Sequence, residues 1–184
     1  MKKLFMVIPS VLLLCFALSC QQPAEEGITE EEAKSIGDIY TKSRNEINLA
    51  LLDEIYSPDV VVHDCSAPED IIGLDALKAY YSNTHQAIPD LNATIDEIII
   101  DGDKIVWTWT FMGTQSGVFH TPLGDIPPTG NKVKFSGVAI DRLEEGKIVE
   151  EWVYFNLLDV LMQLGFTLNP PQSPETQEEG SQIN

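Results

Sequence analysis

Basic residues are scarce in this chain of 184 residues. Eleven lysines and arginines stand against 29 aspartates and glutamates, which gives a formal net charge of -18. Proteins that bind nucleic acid need clustered lysine and arginine for the phosphates, so this balance excludes nucleic acid as an expected partner. It equally disfavours electrostatic attraction to an anionic membrane surface. The length predicts a single domain.

The N-terminus has the pattern of a signal peptide. Lys2 and Lys3 precede an apolar stretch from Leu4 to Leu18, which is too short to predict a membrane-spanning helix. The stretch ends in Ser19-Cys20, and small residues directly before a cysteine resemble the lipobox of bacterial lipoproteins, in which that cysteine is acylated. Several acyl chains anchor a protein stably. We expect a signal peptide over residues 1–19 and lipidation at Cys20; the alternative is a plain secretory signal in which Cys20 is incidental.

Cysteine is scarce as well, with three in the chain. Processing would remove Cys15 and lipidation would occupy Cys20, which leaves Cys65 as the only free thiol. No intramolecular disulfide is then expected, although an envelope compartment would permit one. Gln21 follows the lipidated position, and no aspartate there marks inner-membrane retention. The expected location is the bacterial cell envelope, lipid-anchored in the outer membrane and facing the periplasm or the surface.

The rest of the chain divides into three parts. Residues 20–27 are polar and predict a short tether. Residues 169–184 contain prolines and glutamates but no aromatic residue, and predict a disordered tail. Residues 28–168 are long enough to bury one sizeable core. This part is the predicted folded domain.

Within that domain, helical patterns come first and strand patterns follow. A capping box at Thr29 predicts a helix to about Arg44, Asn48 predicts the start of a second helix that Pro58 ends, and a third is predicted over Leu74–Ala87. Strands are predicted over Val60–His63, Thr94–Ile100, Lys104–Met112, Val133–Leu143 and Ile148–Phe155, with a closing helix over Leu157–Leu164. The order predicts an α+β fold, in which helices pack on a curved antiparallel sheet and enclose an apolar pocket.

Several stretches together resemble the SnoaL-like polyketide cyclases, also called ester cyclases. The resemblance covers about residues 45–166. It rests on the sequence NEINLALLDEIYSPDVVVHD at 45–64, Ile-Pro-Asp-Leu at 88–91, Asp-Gly-Asp-Lys-Ile-Val at 101–106, Pro-Pro-Thr-Gly at 127–130 and Gly-Lys-Ile-Val-Glu-Glu-Trp at 146–152. It implies a cone-shaped α+β barrel, no cofactor and often a homodimer through the sheet. It also implies an intramolecular aldol closure in which an aspartate is the general acid and base.

The ionisable residues of that family are only partly present. Gln115 stands where the family often has histidine; an amide can hydrogen-bond a substrate oxygen but cannot take a proton. His120, in a longer loop, could supply the imidazole, or it is simply an exposed loop histidine. Ala139 replaces the family's aspartate, and Asp141, two residues on, points to the same side of the strand. Asp141 is therefore a candidate displaced general base; the alternative is a solvent-facing or ion-paired aspartate near a strand end.

Two further positions of the family pattern also differ. Glu151 stands where histidine usually precedes the tryptophan, and Asn156 stands where an aspartate is expected. Differences from the family pattern at four ionisable positions indicate that the chain has either a different chemistry or no catalytic activity.

Other candidate site residues are aromatic or lie on the first strand. Trp107, Trp109 and Trp152 are candidate pocket walls for a small hydrophobic molecule, with core packing as the alternative. His63 is a candidate pocket-lining donor, while a Cys65–His63 nucleophile lacks an orienting third group. Tyr80 and Tyr81 could place a hydroxyl near the mouth. No histidine or acidic spacing predicts a metal site.

Two functional hypotheses follow. In one, the pocket carries out cofactor-free aldol cyclisation, isomerisation or dehydration, with Asp141 as base and His63 and Gln115 as hydrogen-bond partners. In the other, the chain is a non-catalytic ligand-binding or assembly module of the envelope. A cavity in which Asp141 and His63 converge would favour the enzyme, and a collapsed core would favour the module.

Overall fold

The computed structural model describes residues 27–121 and 124–170. The predicted signal peptide, Cys20, nearly all of the tether and most of the tail lie outside the described residues. Among the described residues, no helix combines the length and apolar character needed to cross a bilayer.

The first helix, α1, spans Glu30–Asn45. Its start is fixed by the predicted capping box: the Thr29 hydroxyl accepts from the Glu32 backbone N–H, and the Glu32 carboxylate accepts from the Thr29 backbone N–H. Its buried face includes Ala33, Ile36 and Arg44, so a charged residue ends the apolar stripe.

The second predicted helix is wrong in type and length. Leu49–Glu54 form a single 3-10 helix, and Asn48 makes no side-chain cap. The chain is already extended from Tyr56, so Pro58 lies inside the first strand instead of ending a helix. Residues 46–55 connect α1 to this strand, and a short 3-10 helix in this segment buries Leu52.

A six-stranded sheet forms most of the fold, in the order β2-β1-β8-β7-β4-β3. Its strands are β1 (Tyr56–Asp64), β2 (Ile71–Ile72), β3 (Asn92–Asp101), β4 (Lys104–Thr114), β7 (Lys132–Glu144) and β8 (Lys147–Phe155); β5 (Phe119–Thr121) and β6 (Gly124–Ile126) form a separate hairpin. The strands β3, β4, β7 and β8 form the predicted antiparallel meander. The sheet is antiparallel, as predicted, except that β1 pairs with β8 in parallel. This pairing is possible since the long intervening chain supplies the crossover.

The remaining helices close the open side of the sheet. Helix α2 spans Leu74–Ala87, as predicted, and α3 spans Leu157–Gln163. The α+β class is therefore confirmed. Alternate side chains of each strand point toward these helices, on what we call the inner face, or away from them, on the outer face. On β4 the inner side chains are Ile105, Trp107, Trp109 and Phe111.

Candidate active site

A cavity of about 950 Å³ lies between the inner face of the sheet and the helices. Exposed lining residues, such as Glu69 and Phe166, mark its mouth, and fully buried ones, such as Tyr56, mark its closed end. A cavity of this size can enclose a multi-ring molecule. Most of the wall is apolar, with aromatic and aliphatic side chains from Ile36, Trp107, Trp109, Phe111, Phe135, Phe155 and Leu161.

Two carboxyl side chains face each other near the closed end. Asp141 on β7 and Glu151 on β8 are direct cross-strand partners, and each is only 3% exposed. Direct partners on one face of a sheet have Cβ atoms about 4.5–5.5 Å apart. The two acids therefore lie side by side in one buried site. They are the only buried acidic residues among those that the structure describes.

Each carboxyl group of this pair has one hydrogen-bond partner and one oxygen without a partner. The Trp107 indole N–H donates to Asp141 Oδ2 at 2.6 Å, and the Tyr56 hydroxyl donates to Glu151 Oε2 at 3.0 Å. Asp141 Oδ1 is buried with no partner, and Glu151 Oε1 accepts no hydrogen bond from any described residue. One oxygen of each acid is thus available to a ligand.

Burial decides the protonation of this pair. Loss of hydration, together with the charge of Glu151, raises the pKa of Asp141 well above its ordinary value. Loss of hydration raises the pKa of Glu151 to about 7, while the Tyr56 hydrogen bond and the charge of Arg44 oppose that rise. The pair therefore keeps at least one proton at neutral pH, and Glu151 is the acid that ionises at about pH 7.

A guanidinium group lies in the same wall. Arg44, at the end of α1, is 1% exposed and lines the cavity. Its central carbon lies 3.8 Å from the ring centre of Tyr81 and 5.6 Å from that of Phe111. Nε and Nη1 have no hydrogen-bond partner in the described part of the chain. Its backbone carbonyl accepts from His85 Nε2 at 2.8 Å, which ties α1 to α2 at this point.

The predicted tryptophan walls lie on both faces of the sheet. Trp107 and Trp109 line the cavity, and Trp109 packs against Phe111 with ring centres 4.5 Å apart. The Trp109 ring lies directly over Gly137, where a Cβ would come within 2.3 Å of it. Trp152 does not line the cavity. It follows Glu151 directly on β8, and successive side chains of a strand point to opposite faces of the sheet.

The predicted convergence of His63 with Asp141 does not form. His63 lies on the outer face, where its ring stacks on Trp152 and hydrogen-bonds Asp70 at 2.8 Å and Glu150 at 3.2 Å. The reason is strand parity: Val62 and Asp64 point inward from β1, so His63 between them points outward. Cys65 lies at the mouth without an imidazole partner, since its thiol contacts the Phe155 carbonyl.

Gln115 lines the cavity but has no hydrogen-bonding capacity left for a ligand. Its amide N–H groups donate to the carbonyls of Gly117 and Pro127, and its oxygen accepts from the backbone and hydroxyl of Thr129. An amide offers two donors and two acceptor positions, and all four are used. Instead of the predicted hydrogen bond to substrate, Gln115 makes structural bonds that tie Gly117 to Pro127 and Thr129.

His120 lies at the mouth, on the β5–β6 hairpin. It is exposed, and its Nδ1 pairs with Asp125 at 2.8 Å. It lines the opening but lies away from the carboxyl pair. Tyr80 lines the cavity, where its hydroxyl makes a hydrogen bond with Ser66 and donates to Asp64 Oδ2 at 3.2 Å.

No metal-binding arrangement is present in residues 27–121 and 124–170, where no three His, Cys, Asp or Glu side chains converge suitably. The chemistry available beside the carboxyl pair is that of carboxyl groups, phenols and the Arg44 guanidinium, while the Cys65 thiol and the His120 imidazole lie at the mouth. Such groups can move protons and hold an oxygen atom.

Sequence reasoning missed Arg44 and Tyr56 and gave Glu151 no role. Arg44 follows Ile36 and Tyr40 at spacings of four, which is the signal of a charge within an apolar helical stripe. Glu151 alternates with Val153 and Phe155, which marks it as inward-facing.

Comparisons with known proteins agree with this architecture. A family model described as SnoaL-like polyketide cyclase matches residues 34–164, well over half of the chain. A search of curated proteins found no match.

Among solved structures, IdmH from Streptomyces antibioticus, a candidate polyketide cyclase, is 25% identical with a TM-score of 0.61, covering 72% of this chain and 98% of its own. AclR from Streptomyces galilaeus, a candidate hydroxylase, is 25% identical with a TM-score of 0.64, covering 83% and 91%. TsrD from Streptomyces laurentii is 24% identical with a TM-score of 0.65, covering 75% and 98%, and supports the fold. The chain belongs to the SnoaL-like polyketide cyclase family.

Proposed function

We propose that the cavity binds a small hydrophobic carbonyl compound and catalyses cofactor-free proton transfer at the carbon next to the carbonyl. The observation that carries this proposal is the Asp141–Glu151 pair at the closed end of an apolar cavity. Two neighbouring acids whose protonation states differ at one pH can act as acid and base in one reaction.

The roles of Asp141 as acid and Glu151 as base follow from their raised pKa values and from the oxygen of each that has no hydrogen-bond partner. Protonated Asp141 donates a hydrogen bond to the substrate carbonyl oxygen through Oδ1, the oxygen that has no partner in the fold. Glu151 Oε1 removes a proton from the adjacent carbon. The C–H bond breaks, its electron pair becomes the enolate, and the proton stays on Glu151. This reverses the expectation from sequence, in which Asp141 was the base.

The enolate then determines the reaction class. Attack of its carbon on a second carbonyl in the same molecule forms a ring, and the alkoxide so formed takes the proton back from Glu151, as in aldol closure. Return of the proton from Glu151 to a different carbon gives an isomer. Loss of a hydroxide from the next carbon, which leaves as water with the proton from Glu151, gives dehydration. All three restore the starting protonation of the pair, so none needs a cofactor.

The test is deuterium exchange at carbon. Neutral ketones with an apolar ring, such as tetralone, are incubated in D2O with the protein, and loss of the adjacent C–H signal is followed by NMR. We expect acceleration that falls by about 10²- to 10⁴-fold in Glu151→Gln and in Asp141→Asn. Glu150→Gln is the matched control, since it alters the neighbouring residue on the outer face. Binding of ketones without any exchange above buffer would contradict the proposal.

A second candidate function is ligand binding without catalysis. The observation that favours it is that no imidazole lies beside the carboxyl pair, because His63 lies on the outer face, His85 donates to the Arg44 carbonyl and His120 lies at the mouth. The exchange experiment separates the two candidates. A ketone that raises the melting temperature without exchanging its protons identifies a binding module.

We also propose that Cys20 is lipidated and holds the domain at the envelope. Support comes from the basic start, the apolar stretch and the small residue before the cysteine. In cells, globomycin is expected to leave an unprocessed precursor, and Cys20→Ala is expected to release the protein from the membrane fraction. Unchanged processing under globomycin would contradict this assignment.

A further inference from the structure

Arg44 has no role in the proton transfer described above, and its environment is unusual. It is the largest fully buried side chain among the described residues, and its guanidinium lies between aromatic rings at the cavity wall. Burying a cation without hydrogen-bond partners is strongly unfavourable. Two of its nitrogens, Nε and Nη1, are nevertheless without partners. A group from outside the chain could satisfy them.

We propose that Arg44 binds an anionic oxygen of the ligand, an enolate or a carboxylate carried on an apolar body. This inference rests on the proposed function in that it assigns a substrate class to the same cavity. A guanidinium recognises oxygen anions by charge-assisted hydrogen bonds, and it remains charged at any physiological pH. The surrounding apolar wall excludes water, which strengthens such bonds.

The position of Arg44 is fixed before a ligand arrives. It lies at the end of α1, and His85 on α2 holds its backbone carbonyl at 2.8 Å. Tyr81, also on α2, lies under the guanidinium at 3.8 Å and restricts its rotation. A donor held in place this way does not have to be ordered when it binds an oxygen.

Charge balance explains how an anion can enter a cavity that already holds carboxyl groups. The ionisable groups that line this space with Arg44 are Tyr40, Tyr56, Asp64, Tyr80, Tyr81, Asp141 and Glu151, and exposed Cys65, Glu69, His120 and Asp125 line its mouth. Asp64 is occupied by Ser66 and Tyr80. When the enolate forms, Glu151 takes the proton and becomes neutral, so the negative charge moves onto the ligand oxygen. A ligand that arrives already ionised should instead cause Glu151 to take a proton from solvent.

The experiment uses two pairs of ligands of matched shape. Naphthylacetate is compared with naphthylacetamide, and a phenyl-substituted cyclohexane dione that is an enolate at neutral pH is compared with phenylcyclohexanone. Calorimetry gives the affinity at pH 7.5, and repeating each titration in two buffers of different ionisation enthalpy gives the protons taken up. We expect the anionic member of at least one pair to bind about 10- to 100-fold more tightly than its neutral partner, with proton uptake.

The two pairs distinguish the source of the anion. Preference in the dione pair alone identifies an enolate site, and preference in the carboxylate pair alone identifies a site for free acids. Equal affinities within both pairs, with no proton uptake, would overturn the proposal. These wild-type measurements decide it even if variants of this buried residue fail to fold.

Variants then assign the effect to Arg44. Arg44→Met should remove the preference for the anion while leaving the affinity for phenylcyclohexanone within about threefold, and Arg44→Lys should keep part of the preference. Retention of the full preference in a folded Arg44→Met protein would overturn the assignment. Failure of this assignment can be told apart from failure of the proposed function. If the wild-type protein exchanges ketone protons but does not prefer anions, only the role of Arg44 is rejected. Preference for anions without any exchange rejects only the catalysis.

Discussion

Glu150 and Glu151 are neighbours in sequence, yet their environments differ in every respect that sets acidity. Glu150 lies on the outer face, where Arg142 Nε donates to it at 3.0 Å and His63 contacts it at 3.2 Å. These partners lower the pKa of Glu150, the Arg142 hydrogen bond most. Glu151 lies on the inner face, where burial raises its pKa to about 7. Adjacent residues of a strand point to opposite faces, so a shift of one position separates a stabilising surface charge from a buried carboxyl group that lines the cavity.

The two arginines repeat this contrast. Arg142, on the outer face, pairs with Glu144 and Glu150. Arg44, on the inner side, lies against aromatic rings with two nitrogens lacking partners. The outer face satisfies its charges within the chain, whereas the inner face keeps charges and polar atoms unsatisfied at a cavity. Unsatisfied buried groups are costly to a fold, and their concentration in one place marks the site.

The largest effect expected from the contrast between Glu150 and Glu151 is on how the free energy of unfolding depends on pH. Folded Glu151 keeps its proton up to about pH 7, whereas its ordinary value is 4.5, so ionisation destabilises the fold as pH rises through that window. Glu151→Gln cannot ionise. We expect its stability relative to wild type to rise by about 3 kcal/mol between pH 4.5 and pH 7, measured by urea unfolding.

Glu150→Gln provides the control for that measurement and should show the opposite sign. Its lowered pKa means that ionised Glu150 stabilises the fold above its ordinary value of 4.5, and that this contribution is lost as pH falls through the lowered pKa. Parallel stability curves for wild type and Glu151→Gln would contradict the buried, proton-holding site.

An intermediate effect compares two tryptophans of the inner face. Trp107→Phe removes the hydrogen bond to Asp141, while Trp109→Phe removes a similar ring area from an indole that makes no hydrogen bond to any described residue. We expect Trp107→Phe to be more destabilising by about 1–2 kcal/mol, because a buried acceptor loses its donor. It should also raise the pKa of Asp141 further, since that hydrogen bond lowers it. Equal losses of stability in urea unfolding would show that the hydrogen bond has no energetic role.

The smallest effect is expected on the outer face. The hydrogen bond with Asp70, assisted by Glu150, raises the pKa of His63. Its contribution is therefore fully present below the unfolded value of 6.5 and is lost as pH rises through the raised pKa. His63→Ala should cost under about 1 kcal/mol at pH 6 and less at pH 8. It should leave ligand affinity unchanged, and a tenfold loss of affinity would place His63 in the site after all.

Most of the fold could be predicted from sequence because its signals are local. The capping box at Thr29, the boundaries of Leu74–Ala87 and the alternation along β4 depend on neighbouring residues only. The parallel pairing of β1 with β8 and the single 3-10 helix depend on contacts between distant parts of the chain. Local patterns carry no information about them.

The site was only partly predictable. Asp141 was identified by its position in the strand, and the structure brings it to the cavity wall, but its partner was expected to be His63. Side chains alternate between the two faces along β1, and this alternation places His63 on the outer face. The predicted strand Val60–His63 did not indicate which of its side chains face the cavity. The role of Gln115 depends on Thr129, a loop residue whose proximity no sequence pattern indicates.

The most direct test of the central claim is the titration of the two neighbouring glutamates by carbon NMR, with the side-chain carboxyl carbons labelled. Glu150→Gln and Glu151→Gln assign the two signals. We predict that Glu151 titrates near pH 7, while Glu150 titrates below its ordinary value of 4.5. A Glu151 signal that titrates at about 4.5 would mean that burial does not raise the pKa of Glu151, and would contradict the account of this group as a buried acid that changes protonation near neutral pH.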